Sequence, residues 1–136
     1  LAGVEAAAIE LHDGTIITAR SSELLGPCSA LILNAIKHLA GIDHSVKMIP
    51  EKLIEPIQKT KVEYLHGKNP QLHTDEVLVA ISLLSNHDDN CKNALDQLPR
   101  LNGCQMHCTV MISEVDAKVF KKLGVGVTCD PVKKRE

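Results

Sequence analysis

Ala7-Ala8-Ile9-Glu10-Leu11-His12-Asp13-Gly14-Thr15-Ile16-Ile17-Thr18-Ala19 reads as two short strands around a tight turn. Ala7, Ile9 and Leu11 alternate with Ala8 and Glu10, a period of two that sends one set of side chains to a buried face. Asp13-Gly14 favours a turn with positive φ. The β-branched run Thr15 to Thr18, with Ala19, suits the returning strand. A helix follows between Ser22 and Leu39. Leu25, Cys28, Leu31, Ile32, Ala35, Ile36 and Leu39 recur at helical spacing. Leu24, Ala30 and Leu33 widen that face until little polar surface is left, so the helix is expected to lie mostly buried against a sheet. Gly41 ends it, and Pro27 is either its first residue or part of its first turn.

Further along, Val46 to Ile49 reads as a third strand. Three helical segments come next. Leu53, Ile54, Ile57, Lys61, Tyr64 and Leu65 trace one stripe, and Pro56, which lacks a backbone donor, is expected near the start of the first helix. The second begins with Thr74 as N-cap and with Asp75 and Glu76 at the positive end of the helix dipole. The third spans about Asp89 to Leu98 on a face of Cys91, Ala94, Leu95 and Leu98. Cys104 to Ile112 alternates cleanly as a strand, with Cys104, Met106, Cys108, Val110 and Ile112 on one side and Gln105, His107, Thr109 and Met111 on the other. Ser113-Glu114-Val115-Asp116 opens a last helix, with Val115, Val119, Phe120 and Leu123 inward, and Gly124 stops it before a final strand through Val125, Val127 and Cys129. The expected order is β-β-α-β-α-α-α-β-α-β, a layered α/β/α domain with a mixed sheet. It occupies 1–136 as a single domain. The helices at about 51–98 exceed what one crossover needs and form an embellishment suited to contacts with another domain or subunit.

Composition narrows the function. The 136 residues suit one domain with one real core. The formal charge of -2 gives no general attraction to nucleic acid or anionic membrane. Tyr64 and Phe120 are the only aromatic residues, which leaves no stacking platform for bases and no aromatic cage. No apolar run is long enough to span a membrane. No basic stretch followed by an apolar one opens the sequence, so a cytoplasmic protein is expected. The chain opens on Leu1 rather than Met, which suggests a piece of something longer. Five cysteines, an odd number, fit reduced core thiols better than a disulfide scaffold.

Three clusters carry chemistry. Cys104-x-x-His107-Cys108 invites zinc, but on a strand residues four apart lie about 13 Å from each other. A zinc ligand must come within about 2.3 Å. His107 also points to the opposite face, so no metal is expected. His73, Asp75 and Glu76 bring an imidazole and two carboxylates to a helix start, as general acid–base work requires. Plain capping by Thr74 and dipole compensation explain the same residues. Ser21 and Ser22, before the first buried helix, offer hydroxyls and amides to an anion, and capping accounts for them equally. No Gly-x-Ser-x-Gly, His-Glu-x-x-His or Walker pattern occurs.

Several strings carry a family likeness. They are Ala8-Ile9-Glu10-Leu11-His12-Asp13-Gly14-Thr15-Ile16, Leu31-Ile32-Leu33-Asn34-Ala35-Ile36-Lys37-His38-Leu39-Ala40-Gly41-Ile42, Glu55-Pro56-Ile57-Gln58-Lys59, Asn69-Pro70-Gln71-Leu72-His73-Thr74-Asp75-Glu76-Val77-Leu78 and Phe120-Lys121-Lys122-Leu123-Gly124-Val125. The chain resembles the C-terminal portion of a large, uncharacterised, mainly bacterial cytosolic family, a domain of unknown function. Some members carry an automatic label of ATP-dependent zinc protease. The resemblance implies a longer protein whose N-terminal region holds a glycine-rich, phosphate-loop-like segment. It also implies a cytidine-deaminase-like topology. Deaminases place His/Cys-x-Glu at the first buried helix and Pro-Cys-x-x-Cys at the next. Here those stretches read Ser22-Glu23-Leu24 and Pro50-Glu51-Lys52-Leu53, so the likeness is one of topology without the zinc ligands. No zinc-protease motif is present either.

The expected role is a non-catalytic C-terminal domain that serves assembly or completes a site formed with a missing N-terminal domain, with no cofactor of its own. The alternative is an enzyme domain, hydrolase-type or nucleotide-related, pairing His73 with Asp75 or Glu76. Apolar residues on two faces of the second helix, Val77, Leu78, Ile81 and Leu84 on one and Val79 and Leu83 on the other, imply either a small helical subcore or a two-fold homo-oligomeric interface. The strand geometry also predicts that elemental analysis of the purified chain finds no stoichiometric zinc. One zinc per chain, lost on Cys108→Ser, would contradict it.

Overall fold

A hairpin, four strands in all and five α-helices make up the structure, a computed structural model that describes residues 4–133. The hairpin joins β1 (Ala6–Glu10) to β2 (Ile16–Arg20), with Ala7 opposite Ala19 and Ile9 opposite Ile17. Gly14 takes the positive φ of 88° that its turn demands. After it come α1 (Pro27–Leu39), α2 (Glu51–Lys59), a π-helical turn over Thr60–Tyr64, α3 (Thr74–Leu84), α4 (Asp89–Leu95) and a 3-10 turn at Leu98–Leu101. The chain then forms β3 (Gln105–Cys108), α5 (Glu114–Leu123) and β4 (Gly126–Cys129).

The sheet order is β2-β1-β3-β4. β1 runs antiparallel to both neighbours and β3 runs parallel to β4, so the sheet is mixed. Ala7, Ile9, Ala19, Met106 and Cys108 share one face and are buried beneath the helices. Leu31, Ala35 and Ile36 of α1 pack into that core with no exposed surface. Pro27 is the first helical residue, where its missing donor costs nothing. On the other face Glu10, Ile16, Thr18, Arg20, Gln105, His107 and Thr128 are exposed. Among the described residues the helices therefore lie on one face only, giving two layers where three were expected. An antiparallel hairpin tolerates water on one side.

Further expectations need correction. Val46 to Ile49 is not a strand. Its carbonyls are taken by side chains instead: Lys37 Nζ bonds to Val46 O at 2.5 Å, and Cys91 Sγ donates to Met48 O at 3.5 Å. Met48 and Ile49 are buried as a loop against α1. The strand expected over Cys104 to Ile112 is regular only from Gln105 to Cys108. Beyond it Thr109 Oγ1, rather than a ladder carbonyl, accepts the Ala6 N–H at 2.9 Å. Pro56 lies inside α2, which starts at Glu51; both Pro56 and Lys52, whose carbonyl loses its helical donor, are exposed to water. The helical subcore is absent too. Val77 and Ile81 are fully buried, but Val79 is 60% and Leu83 68% exposed.

A buried carboxylate joins the start of α3 to α5. Ser113 caps α5 by accepting the Asp116 N–H at 3.2 Å. The Asp116 side chain does not close the box locally. Its Oδ1 accepts the Thr74 N–H at 3.0 Å and the Thr74 hydroxyl at 2.8 Å, at the first turn of α3. Both residues are buried. Thr74 is thus the first helical residue and His73 the N-cap, which corrects the sequence reading. Gly124 ends α5 at φ 79°, and a Cβ there would meet Asn102 Oδ1 at 2.0 Å. Removing a charged acceptor strands two buried donors at a cost of about 3 kcal/mol. Asp116→Ala should therefore lower the unfolding free energy in urea by about that much. A change under about 0.5 kcal/mol would show that the contact holds nothing together.

Candidate functional site

An apolar-lined cleft lies beside α1. Leu33, Asn34 and Lys37 fall on one side of this helix, and the segment 44–49 folds back over them. With Leu24, Leu25, Glu51 and Ile54 they surround a cleft of about 430 Å³. A second hollow of about 290 Å³ shares Asn34, Lys37 and His44 and opens toward β2. Lys37 sits between the two and is only 8% exposed. Its ammonium donates to His44 O at 2.9 Å and to Val46 O. Burial pulls its pKa below the usual lysine value, opposed by the charge of Asp43. Asn34 donates through Nδ2 to Thr18 O at 3.1 Å.

The anion candidates divide. Ser22 lines the cleft and Ser21 does not. Ser22 Oγ accepts the Leu24 and Leu25 N–H groups at 3.2 and 3.1 Å, and the Ser21 N–H is taken by Glu5 O at 2.8 Å. Those amides are satisfied within the chain, as capping requires. Glu51 lies on the same cleft as Ser22, so the two stretches aligned with the deaminase zinc ligands do face one cavity.

The candidates at the start of α3 form a separate, half-buried cluster. Glu76 Oε1 accepts from the His73 N–H at 2.7 Å and from Lys61 Nζ at 2.8 Å, and lies 3.3 Å from His73 Nδ1. Burial alone would raise the Glu76 carboxyl, but the His73 N–H and the Lys61 ammonium outweigh it and hold it below the usual carboxylate range. Asp75 is exposed and accepts the Glu76 N–H. The cluster joins the π-helical turn to α3, and its three candidates line neither of the two hollows beside α1.

On the bare face of the sheet, His107 Nδ1 meets Thr128 Oγ1 at 2.7 Å and its Nε2 meets Asp130 Oδ1 at 3.0 Å. Cys104 and Cys108 point to the opposite, buried face. All five cysteines are free, and Cys129 alone of them is exposed. Burial pushes the Cys91 thiol up to about 11. A hydrogen bond with Cys28 draws the Cys108 thiol down to about 7 against the effect of burial, yet both sulfurs lie in the core. Among the described residues no group of three or more His, Cys, Asp or Glu is placed to hold a metal ion. No described helix is long and apolar enough to cross a membrane. Sequence reasoning missed Lys37 and Asn34 as site residues. Their signal was a charge and an amide inside the most apolar helix of the chain.

Comparison with known proteins agrees with the family likeness. Residues 1–136 match the family described as domain of unknown function DUF1846, C-terminal. A "UPF0371 protein" of Corynebacterium aurimucosum is 53% identical over 127 residues, covering 93% of this chain and 26% of the relative. A "UPF0371 protein" of Streptococcus thermophilus is 40% identical over 129 residues, covering 95% and 26%. The chain therefore spans about a quarter of the length of the curated relatives it matches.

Because the folded pKa of Glu76 is depressed, its contribution to stability is complete above its ordinary value near 4.5 and is lost as pH falls through the folded value. Glu76→Gln should cost roughly 1 kcal/mol at neutral pH. That difference should close as the pH is lowered below the usual carboxylate range. Urea titrations at neutral and acid pH check it, and a gap that stays constant would contradict the network.

Proposed function

The chain belongs to the DUF1846 family as its C-terminal domain, and from that premise we propose that it is a non-catalytic module that assembles with the larger remainder of the longer protein. The carrying observation is the outer face of α3, where Val79 and Leu83 stand one turn apart, 60% and 68% exposed. Covering them is worth roughly 1–2 kcal/mol each. The relatives are about four times as long as the matched region, which supplies an occupant for this face. Any catalytic site it serves is completed by that remainder. Its location is cytoplasmic, in keeping with five free thiols. The deaminase-like topology, without zinc ligands, is supported by the hairpin, the buried α1 and the meeting of Ser22 and Glu51 at one cleft. A third layer, on the bare face of the sheet, would come from the same remainder. The enzyme alternative has less behind it, since Glu76 is already engaged by Lys61 and by the His73 backbone.

The test is to mix this chain with the part of the Corynebacterium aurimucosum relative that lies outside the match. Saturable association is expected, weakened at least tenfold by Val79→Asp with Leu83→Asp while the thermal unfolding curve of the chain stays in place. Association indifferent to those substitutions would refute the assignment. So would concentration-dependent dimers of the chain alone that the same substitutions abolish, because the occupant would then be a second copy.

A further inference from the structure

Lys37 is a buried ammonium that no carboxylate contacts among the described residues. It donates to the main-chain carbonyls of His44 and Val46, and an ammonium has three donors. Asp43, the acid whose charge reaches it, is already bonded to the Ser45 N–H at 2.8 Å and the Ser45 hydroxyl at 2.6 Å. Burying a cation in this way is unfavourable unless a counter-charge joins it. The other charges on the cleft cancel. Lys47 and Glu51 pair at 3.6 Å, both with well-exposed side chains. The lining thus carries the Lys37 ammonium, which no described carboxylate contacts, among the apolar side chains of Leu24, Leu25, Leu33, Met48, Ile49 and Ile54. The Ser22 oxygen accepts two amides, which leaves its proton to donate. A volume of about 430 Å³ lies in the range of small-molecule sites.

We propose that the cleft between α1 and the segment 44–54 binds an organic monoanion with an apolar body. The acid group meets the Lys37 ammonium and the body lies on the leucine, isoleucine and methionine floor. The site stands apart from the outer face of α3 and does not depend on what covers that face. Fixed charge and apolar floor together select against both a neutral lipid-like alcohol and a bare inorganic anion.

Titration calorimetry on the folded chain, with sodium octanoate, 1-octanol and inorganic phosphate as probes, decides it. Octanoate should bind saturably and at least tenfold more tightly than either 1-octanol or phosphate. Lys37→Met should weaken octanoate at least tenfold, down to the level of 1-octanol. Because Lys37 also holds the 44–46 loop, Ala30→Phe serves as a second variant. It fills the cleft without touching the ammonium and should abolish binding of octanoate and 1-octanol alike. The proposal is overturned if octanoate shows no saturable binding, if 1-octanol or phosphate binds as tightly, or if octanoate binding survives Ala30→Phe in a folded protein.

Discussion

Two buried hydrogen bonds from Thr74 to the Asp116 carboxylate join the start of α3 to the first turn of α5. They join positions 42 residues apart and are buried at both ends. A carboxylate at the first turn of α3 also complements the helix dipole. The same junction is reinforced by the Ser29 hydroxyl donating to Leu72 O at 2.6 Å and by the Leu72 N–H donating to Leu24 O at 3.0 Å. The start of α3 is thus held on both α1 and α5. Val77 and Ile81 must face inward, and Val79 and Leu83 must face out. The exposed apolar surface is a consequence of this junction, not of loose packing.

Lys37 imposes the second constraint. Its ammonium draws the His44 and Val46 carbonyls onto α1, so the segment 44–49 becomes the roof of a cleft and not a strand. An apolar residue at 37 would pack α1 more simply, because a buried charge is a poor source of stability. The lysine makes sense if the charge itself is used. Each feature of the molecule that departs from a plain two-layer domain, the roofed cleft and the outward face of α3, therefore traces to a buried polar group with an identified partner.

Much of the fold was legible in the sequence. The hairpin followed from alternation and Asp13-Gly14, and α1 from apolar residues on nearly all its faces. The burial of Cys104, Met106, Cys108 and Val110, with Gln105, His107 and Thr109 exposed, followed from a period of two. What failed did so where a distant side chain took over a local role. Val46 to Ile49 has the composition of a strand, but Lys37 and Cys91 claim its carbonyls. Thr74 has the composition of a cap, but its hydroxyl goes to Asp116. Neither partner is visible in a local pattern. Of the candidate site, Ser22 was legible because it precedes a buried helix. Lys37 showed only as a charge inside an apolar helix, since the cleft exists through the folding back of a loop. Bareness of one sheet face was also hidden, because alternation marks which side chains are buried and not how many layers bury them.

The account rests on the outward face of α3 being a surface that another part of the longer protein covers. Methyl resonances test it most directly, because they distinguish the two faces of one helix. On adding the unmatched part of the Corynebacterium aurimucosum relative, the methyl signals of Val79 and Leu83 should shift strongly while those of Val77 and Ile81, already enclosed, stay nearly still. If the shifts instead fall on Ala6, Ala8 and Ile16 of the bare sheet face and leave Val79 and Leu83 unmoved, the account is wrong.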